Sequence, residues 1–156
     1  MADGISESSL EAGFIELASI VRALHGDWNA PAGSGYDGWS CHDLLAHLSS
    51  SEAALARVAA SSTEPARPGA EPFDADLWNA SQVRKRKETS PQDLLNEFDL
   101  GTTRLVEALS DLDLHRPVTT GTFAGLPAGE AMANMLKHQR KHLDDLRAAL
   151  HAHPDS

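Results

Sequence analysis

The sequence predicts an all-α protein built as a four-helix bundle. Apolar residues recur at steps of three and four in four separate segments, the spacing of one buried helix face. Two of those segments open on explicit helix-start signals. Strand signals are nearly absent: only VTTGTF, residues 118–123, reads as extended, and it has no obvious mate.

In the first helix Leu10, Phe14, Leu17, Val21, Leu24 and Trp28 form one apolar stripe. The turn-rich loop NAPAGSGYDG follows. The second helix starts at GWSCHDLL, with Ser40 as N-cap, Asp43 at N3 as a short-armed capping-box partner, and Trp39 placed to staple onto Leu44. Its buried face carries Leu44, Leu45, Leu48, Leu55 and Val58. SSTEPARPGAEP is a linker by composition, and a short extra helix is expected from Phe73 to Lys87 within this long connection. SPQD restarts the chain, with Ser90 as N-cap, Pro91 at N1 and Asp93 at N3. Leu94, Leu95, Phe98, Leu105 and Leu109 supply that helix's stripe. The loop RPVTTGTFAGLP leads to the last helix, from about Gly129 to Leu150, with Met132, Met135, Leu136, Leu143, Leu146 and Leu150 inward. Four amphipathic helices with one long connection make a bundle.

A chain of 156 residues fits one domain, 1–156, with disordered ends expected at about 1–7 and 152–156. The net charge of −10 disfavours a nucleic-acid partner. Cys41 is the single cysteine, so no disulfide forms within the chain and a reducing cytoplasm is expected. MADGISESSLEAG does not have the pattern of a signal peptide, and no apolar run is long enough to span a membrane. The basic run RKRK, Arg84 to Lys87, reads as a solvated helix end.

The stretch KHQRKHLDDL puts His138 and His142 one turn apart, at one edge of the last helix's apolar arc. Such a pair suits two metal ligands or two half-buried histidines bonded to backbone or water. His47 sits at the edge of the second helix's arc. If those two helices are neighbours, three imidazoles converge, a donor set that suits Zn, Ni, Fe or Co better than Mg or Ca. Three buried histidines without a ligand would each need other partners for their ring nitrogens. HQRKH lacks the glutamate of a zinc-protease helix, and no Glu is followed three residues later by His, so a di-iron bundle is not written here. His25, His42, His115, His151 and His153 read as structural or incidental. Cys41 at N1 has a helix terminus to lower its thiol pKa, but no evident base beside it.

GWSCHDLLAHLSSSE, then DLWNASQVRKRKETSPQDLLNEFD, then HQRKHLDDL, in that order, resemble the DinB/YfiT-like superfamily over about residues 8 to 151. The sequence is most similar to the N-terminal, metal-binding domain of mycothiol-dependent maleylpyruvate isomerase. The resemblance implies an up-down-down-up bundle with the second and last helices adjacent. It also implies one divalent metal, commonly Zn or Ni, on His47, His138 and His142, with water completing the sphere, and a homodimer. No C-terminal domain like the isomerase's is expected, so that particular isomerisation is not the expected reaction. The expected function is a metal-dependent transferase or isomerase that activates a low-molecular-weight thiol of the mycothiol or bacillithiol type toward a small electrophile. A hydrolase using water, or a non-enzymatic metal- or ligand-binding bundle, are the alternatives. Asn134 and Ser51, one turn from His138 and His47, are the candidate substrate-orienting side chains. Asp43 is either a helix cap or the acceptor of His47's outer N–H.

Overall fold

The computed structural model describes residues 6–61, 74–118 and 124–152. Five helices make up the described chain: α1 Glu7–Arg22, α2 Cys41–Ser61, α3 Ala75–Lys85, α4 Pro91–Leu109 and α5 Ala128–Ala152. α2 packs on α4, α5 and α3, while α1 packs on α4 and α5. The four long helices therefore form a closed ring of neighbours, and α3 lies against α2 from outside. The adjacency of the second and last helices that the histidines required is present. No described helix is long and apolar enough to cross a membrane.

The helix starts follow the local chemistry. Ser40 Oγ accepts from the Asp43 amide at 3.2 Å and Asp43 Oδ2 accepts from the Ser40 amide at 3.0 Å, a reciprocal capping box at the head of α2. Ser90 Oγ caps α4 through the Asp93 amide, with Pro91 at N1, where a missing N–H costs nothing. Asp74 caps α3 through the Leu77 amide. Phe73, expected to begin that helix, lies outside the described residues, as do 119–123 of VTTGTF and the end segments 1–5 and 153–156. Val118 does have a mate: its amide donates to Leu126 O, and the Gly125 amide returns to Val118 O, both at 2.8 Å.

The first helix stops earlier than its apolar stripe. Ala23 turns its amide back onto Ile20 and Val21, and Gly26, with φ +145°, redirects the chain against Leu150. Leu24 and Trp28 still pack on the core, but from the connection beyond the helix. That connection then folds into a narrow hairpin. Ala32 N donates to Trp39 O at 2.9 Å and Cys41 N to Ala30 O at 2.8 Å, with Tyr36 near its tip.

The core is a single layer between the four long helices, built on Phe14, Leu17, Leu44, Leu45, Leu48, Leu94, Phe98, Leu105, Leu143 and Leu146. Each such side chain, fully buried, is worth about 1.5–3 kcal/mol of transfer free energy. α2 is the most enclosed element: every residue from Asp43 to Glu52 is buried. Its run of serines makes this possible. Ser49 Oγ donates to Leu94 O of α4 at 2.8 Å and Ser50 Oγ to His47 O at 3.1 Å, so neither hydroxyl is left unpaired. Gly101 faces the same stretch from α4, and a Cβ there would sit only 3.1 Å from Ala53 N. Glycine in mid-helix is the cost of that close approach.

RKRK is not merely a solvated end. Arg84 and Lys85 are exposed, but Arg86 pairs with Glu97 of α4 at 2.7 Å and Lys87 with the buried Asp43 at 2.9 Å.

Candidate metal centre

His47 comes from the buried α2, and His138 and His142 from successive turns of α5. Their Nε2 atoms point at one another. His47 Nε2 lies 3.3 Å from His142 Nε2, and His142 Nε2 lies 2.8 Å from His138 Nε2. All three donor atoms fall within 4.8 Å of each other, and this is the one such group of three or more among the described residues. Imidazoles bound to one zinc-sized ion at roughly 2.1 Å stand about 3–3.4 Å apart, so the donor set fits a single cation with little adjustment.

The rings are also in the right protonation state. Burial, and then the nearness of His142 and His138, push His47 down to about 3. Burial and His138 push His142 down to about 4, with Asp145 opposing. His138 is lowered by its burial. Three neutral imidazoles suit a transition-metal ion, because each ring carries one proton on two nitrogens and can offer the other nitrogen's lone pair. His47 is only 4 % exposed, whereas His138 stands at the solvent margin, so the cluster is walled on one side and open on the other.

The second histidine of the α5 pair is held from behind. Tyr36 Oη lies 2.7 Å from His142 Nδ1 and donates to Asp145 Oδ2 at 2.5 Å. Lys141 Nζ spans both Asp145 oxygens at 3.0 and 2.8 Å. Burial works against ionising Asp145, but the bonds from Lys141 and Tyr36 outweigh it and hold the carboxyl below its ordinary range. Burial, then the bond to Asp145 and its charge, push the Tyr36 phenol far above its ordinary value, so it keeps its proton. Trp39 stacks on Tyr36 and turns its ring to His47 at a centroid distance of 5.6 Å. It thus forms a wall of the site, beyond the helix-stapling role its position suggested.

Asp43 is not the outer partner of His47. Its carboxylate is taken by the Ser40 amide and Lys87, which together outweigh burial and hold its pKa down. His47 Nδ1 is buried with no hydrogen-bond partner among the described residues. Ser51 is buried on α2 and Asn134 is exposed on α5, so the two candidate orienting side chains sit in different environments. Cys41 is fully buried, and burial followed by the Asp27 charge raises its thiol pKa, the reverse of the expected helix-terminus effect. His42 Nε2 donates to Thr89 O at 2.6 Å, away from the cluster. His25, His115 and His151 are exposed, and His153 lies outside the described residues.

A second polar group lies next to the histidines and was not anticipated. Glu52 is 0 % exposed; its Oε2 accepts from Thr102 Oγ1 at 2.5 Å and its Oε1 from Gln139 Nε2 at 3.2 Å. Gln139 Nε2 also reaches Leu48 O at 3.3 Å. Burial raises the Glu52 carboxyl to about 7 against the opposing pull of those bonds.

The family model of the mycothiol maleylpyruvate isomerase N-terminal domain matches residues 10–147. No curated protein and no solved structure matches the chain. The match spans most of the sequence, and the protein belongs to that family, within the DinB/YfiT-like superfamily.

Proposed function

We propose that His47, His138 and His142 hold one divalent ion, Zn or Ni with Fe or Co as further candidates, and that the protein activates a low-molecular-weight thiol toward a small electrophile. The observation that carries this reading is the convergence of three neutral Nε2 atoms at a margin open to solvent. An ion there would supply Lewis acidity sufficient to deprotonate a coordinating thiol at neutral pH. Membership of a family named for a mycothiol enzyme favours a thiol over water as the activated group. The open margin favours chemistry over a sealed stability site, which would bury all three ligands.

The chain's own groups then have separable tasks. His47 anchors the centre from the enclosed helix. Trp39 and Tyr36 close one flank with aromatic surface and limit water there. Asn134, exposed one turn before His138, is placed to orient a substrate, with Ser51 lining the α2 side. The thiol S–H bond breaks with loss of its proton to solvent, and the sulfur bonds to the electrophilic carbon. The electron pair displaced from that carbon, onto a leaving group or the adjacent atom, takes up a proton from solvent through the open margin. The active form in this reading is a homodimer.

Metal analysis of untagged protein, prepared without chelator or nickel resin, should give about one equivalent of Zn, Ni or Fe, lost in His142→Ala. Cysteine titrated into a cobalt-loaded sample should raise a sulfur-to-cobalt absorption band. A metal-loaded protein with no such band would end the thiol reading and leave a binding role.

A further inference from the structure

A hydroxyl has one proton to give and two lone pairs to receive. At Tyr36 that proton is committed: it points to Asp145 Oδ2 at 2.5 Å, and the Lys141 ammonium spans both oxygens of that carboxyl at 3.0 and 2.8 Å. The 2.7 Å contact between Tyr36 Oη and His142 Nδ1 is therefore a hydrogen bond only when Nδ1 carries the proton and donates. A neutral imidazole protonated at Nδ1 has its lone pair on Nε2. That is the atom that faces His47 and His138.

We propose that Tyr36 is a positioning residue for the metal centre: clamped by Asp145, its hydroxyl fixes His142 in the Nδ1–H tautomer and presents Nε2 to the ion. The proposal rests on the metal-centre reading above. Its geometry spans two separate pieces of chain, the hairpin and α5. The Tyr36 hydroxyl comes from the 30–41 hairpin, where the Tyr36 amide is tied to Gly33 O at 3.2 Å and its carbonyl accepts from Trp39 N at 2.9 Å. The carboxylate comes from the turn of α5 after His142, and is itself braced by Lys141. Metal-ligating histidines generally donate the outer N–H to a carboxylate, carbonyl or water; here a phenol is inserted between ring and carboxylate. His47 has no equivalent, since its Nδ1 has no partner among the described residues. Of the two least exposed ligands, His142 is thus the one whose orientation is imposed from outside the bundle.

The test is zinc affinity, by competition with a chromophoric chelator, for the wild-type chain, Tyr36→Phe and Asp145→Ala, with nitrogen NMR of the metal-free His142 ring. Tyr36→Phe should weaken zinc binding by about 10- to 100-fold and turn a uniform Nδ1–H ring into a tautomer mixture. Asp145→Ala should also weaken it, because the freed phenol proton can then turn onto Nδ1 and favour the wrong tautomer. A merely structural phenol would alter thermal stability without moving the tautomer. Wild-type zinc binding matched within threefold by Tyr36→Phe, with the ring tautomer unchanged, overturns the proposal alone. Failure of the wild type to bind zinc overturns the metal-centre reading and this proposal with it.

Discussion

The imidazoles of His47, His138 and His142 and the Glu52–Thr102–Gln139 group are both polar clusters set into an apolar bundle, and both draw on α2 and α5. They differ in how they balance. The histidine cluster offers three lone pairs from neutral rings, leaves His47 Nδ1 without a partner among the described residues, and opens to solvent at His138. The glutamate cluster is shut off from solvent: a carboxyl pushed up to about 7 receives donors from two helices, its members are nearly or wholly buried, and only Gln139 Oε1 lacks a partner among the described residues. In the proposed reading a cation from outside completes the histidine cluster, whereas the glutamate cluster draws its donors and acceptors from within the fold, Gln139 Oε1 excepted. A buried polar network closed from inside favours uniqueness of packing, whereas converging neutral imidazoles at an open margin favour a bound ion.

The largest expected effect separates the two by what completes them. Zinc at about a thousand times its Kd should raise the unfolding free energy by about 4 kcal/mol. That gain should vanish in His142→Ala and survive in Glu52→Gln. Denaturant titration with and without zinc measures it; an equal gain in all three proteins would mean the ion binds elsewhere.

The next effect concerns pH in the metal-free protein, where the clusters pull in opposite directions. Glu52 binds its proton more tightly folded than unfolded, so its contribution is fully present below about 4.5 and is lost as pH rises through about 7. At about 1.4 kcal/mol per pKa unit that is on the order of 3 kcal/mol. His47 and His142 behave inversely. Their folded pKa values of about 3 and 4 lie below the ordinary 6.5, so their contribution is present above 6.5 and is lost as pH falls toward those values. Because two histidines oppose one carboxyl, the stability of the metal-free wild type should already rise with pH between about 4.5 and 6.5, and Glu52→Gln should steepen that rise by about one proton. A variant whose slope over that window equals the wild type's would show that Glu52 is not the opposing group.

The smallest effect tests whether the capping box and the metal centre are independent. Asp43→Ala should cost about 1 kcal/mol of stability and change zinc affinity less than twofold, because Asp43 serves Ser40 and Lys87 rather than His47. A tenfold loss of affinity would reinstate Asp43 as a partner of the ligand ring.

The bundle was legible because helix periodicity and caps are local. Ser40, Asp43 and Ser90 act at the positions their spacing assigned, and the apolar stripes turned inward as written. The convergence of His47 with His138 and His142 was legible from register once α2 and α5 were neighbours. The glutamate cluster was legible in the same way and went unread. Glu52 falls between Leu48 and Leu55, Thr102 between Phe98 and Leu105, and Gln139 between Leu136 and Leu143, each a polar residue on a buried stripe. Asp145, three residues after His142, shares its helix face. Tyr36 had no such signal, because a hairpin's reach across the bundle depends on Gly33, Gly35 and Gly38 adopting positive φ and on pairing no periodicity reports. Lys87 and Arg86 were misread for a related reason: partners 44 and 11 residues away are invisible to composition.

The enclosure of α2 from Asp43 to Glu52 bears on how the site breathes. A helix covered on every side has no inexpensive local opening, and its amides reach deuterated solvent only when the whole domain unravels. His47 is therefore a stationary side chain, fixed for as long as the protein is folded. In the metal-centre reading, a sub-global fluctuation that admits or releases an ion then belongs to the hairpin or to α5, which carry the phenol and the other two histidines.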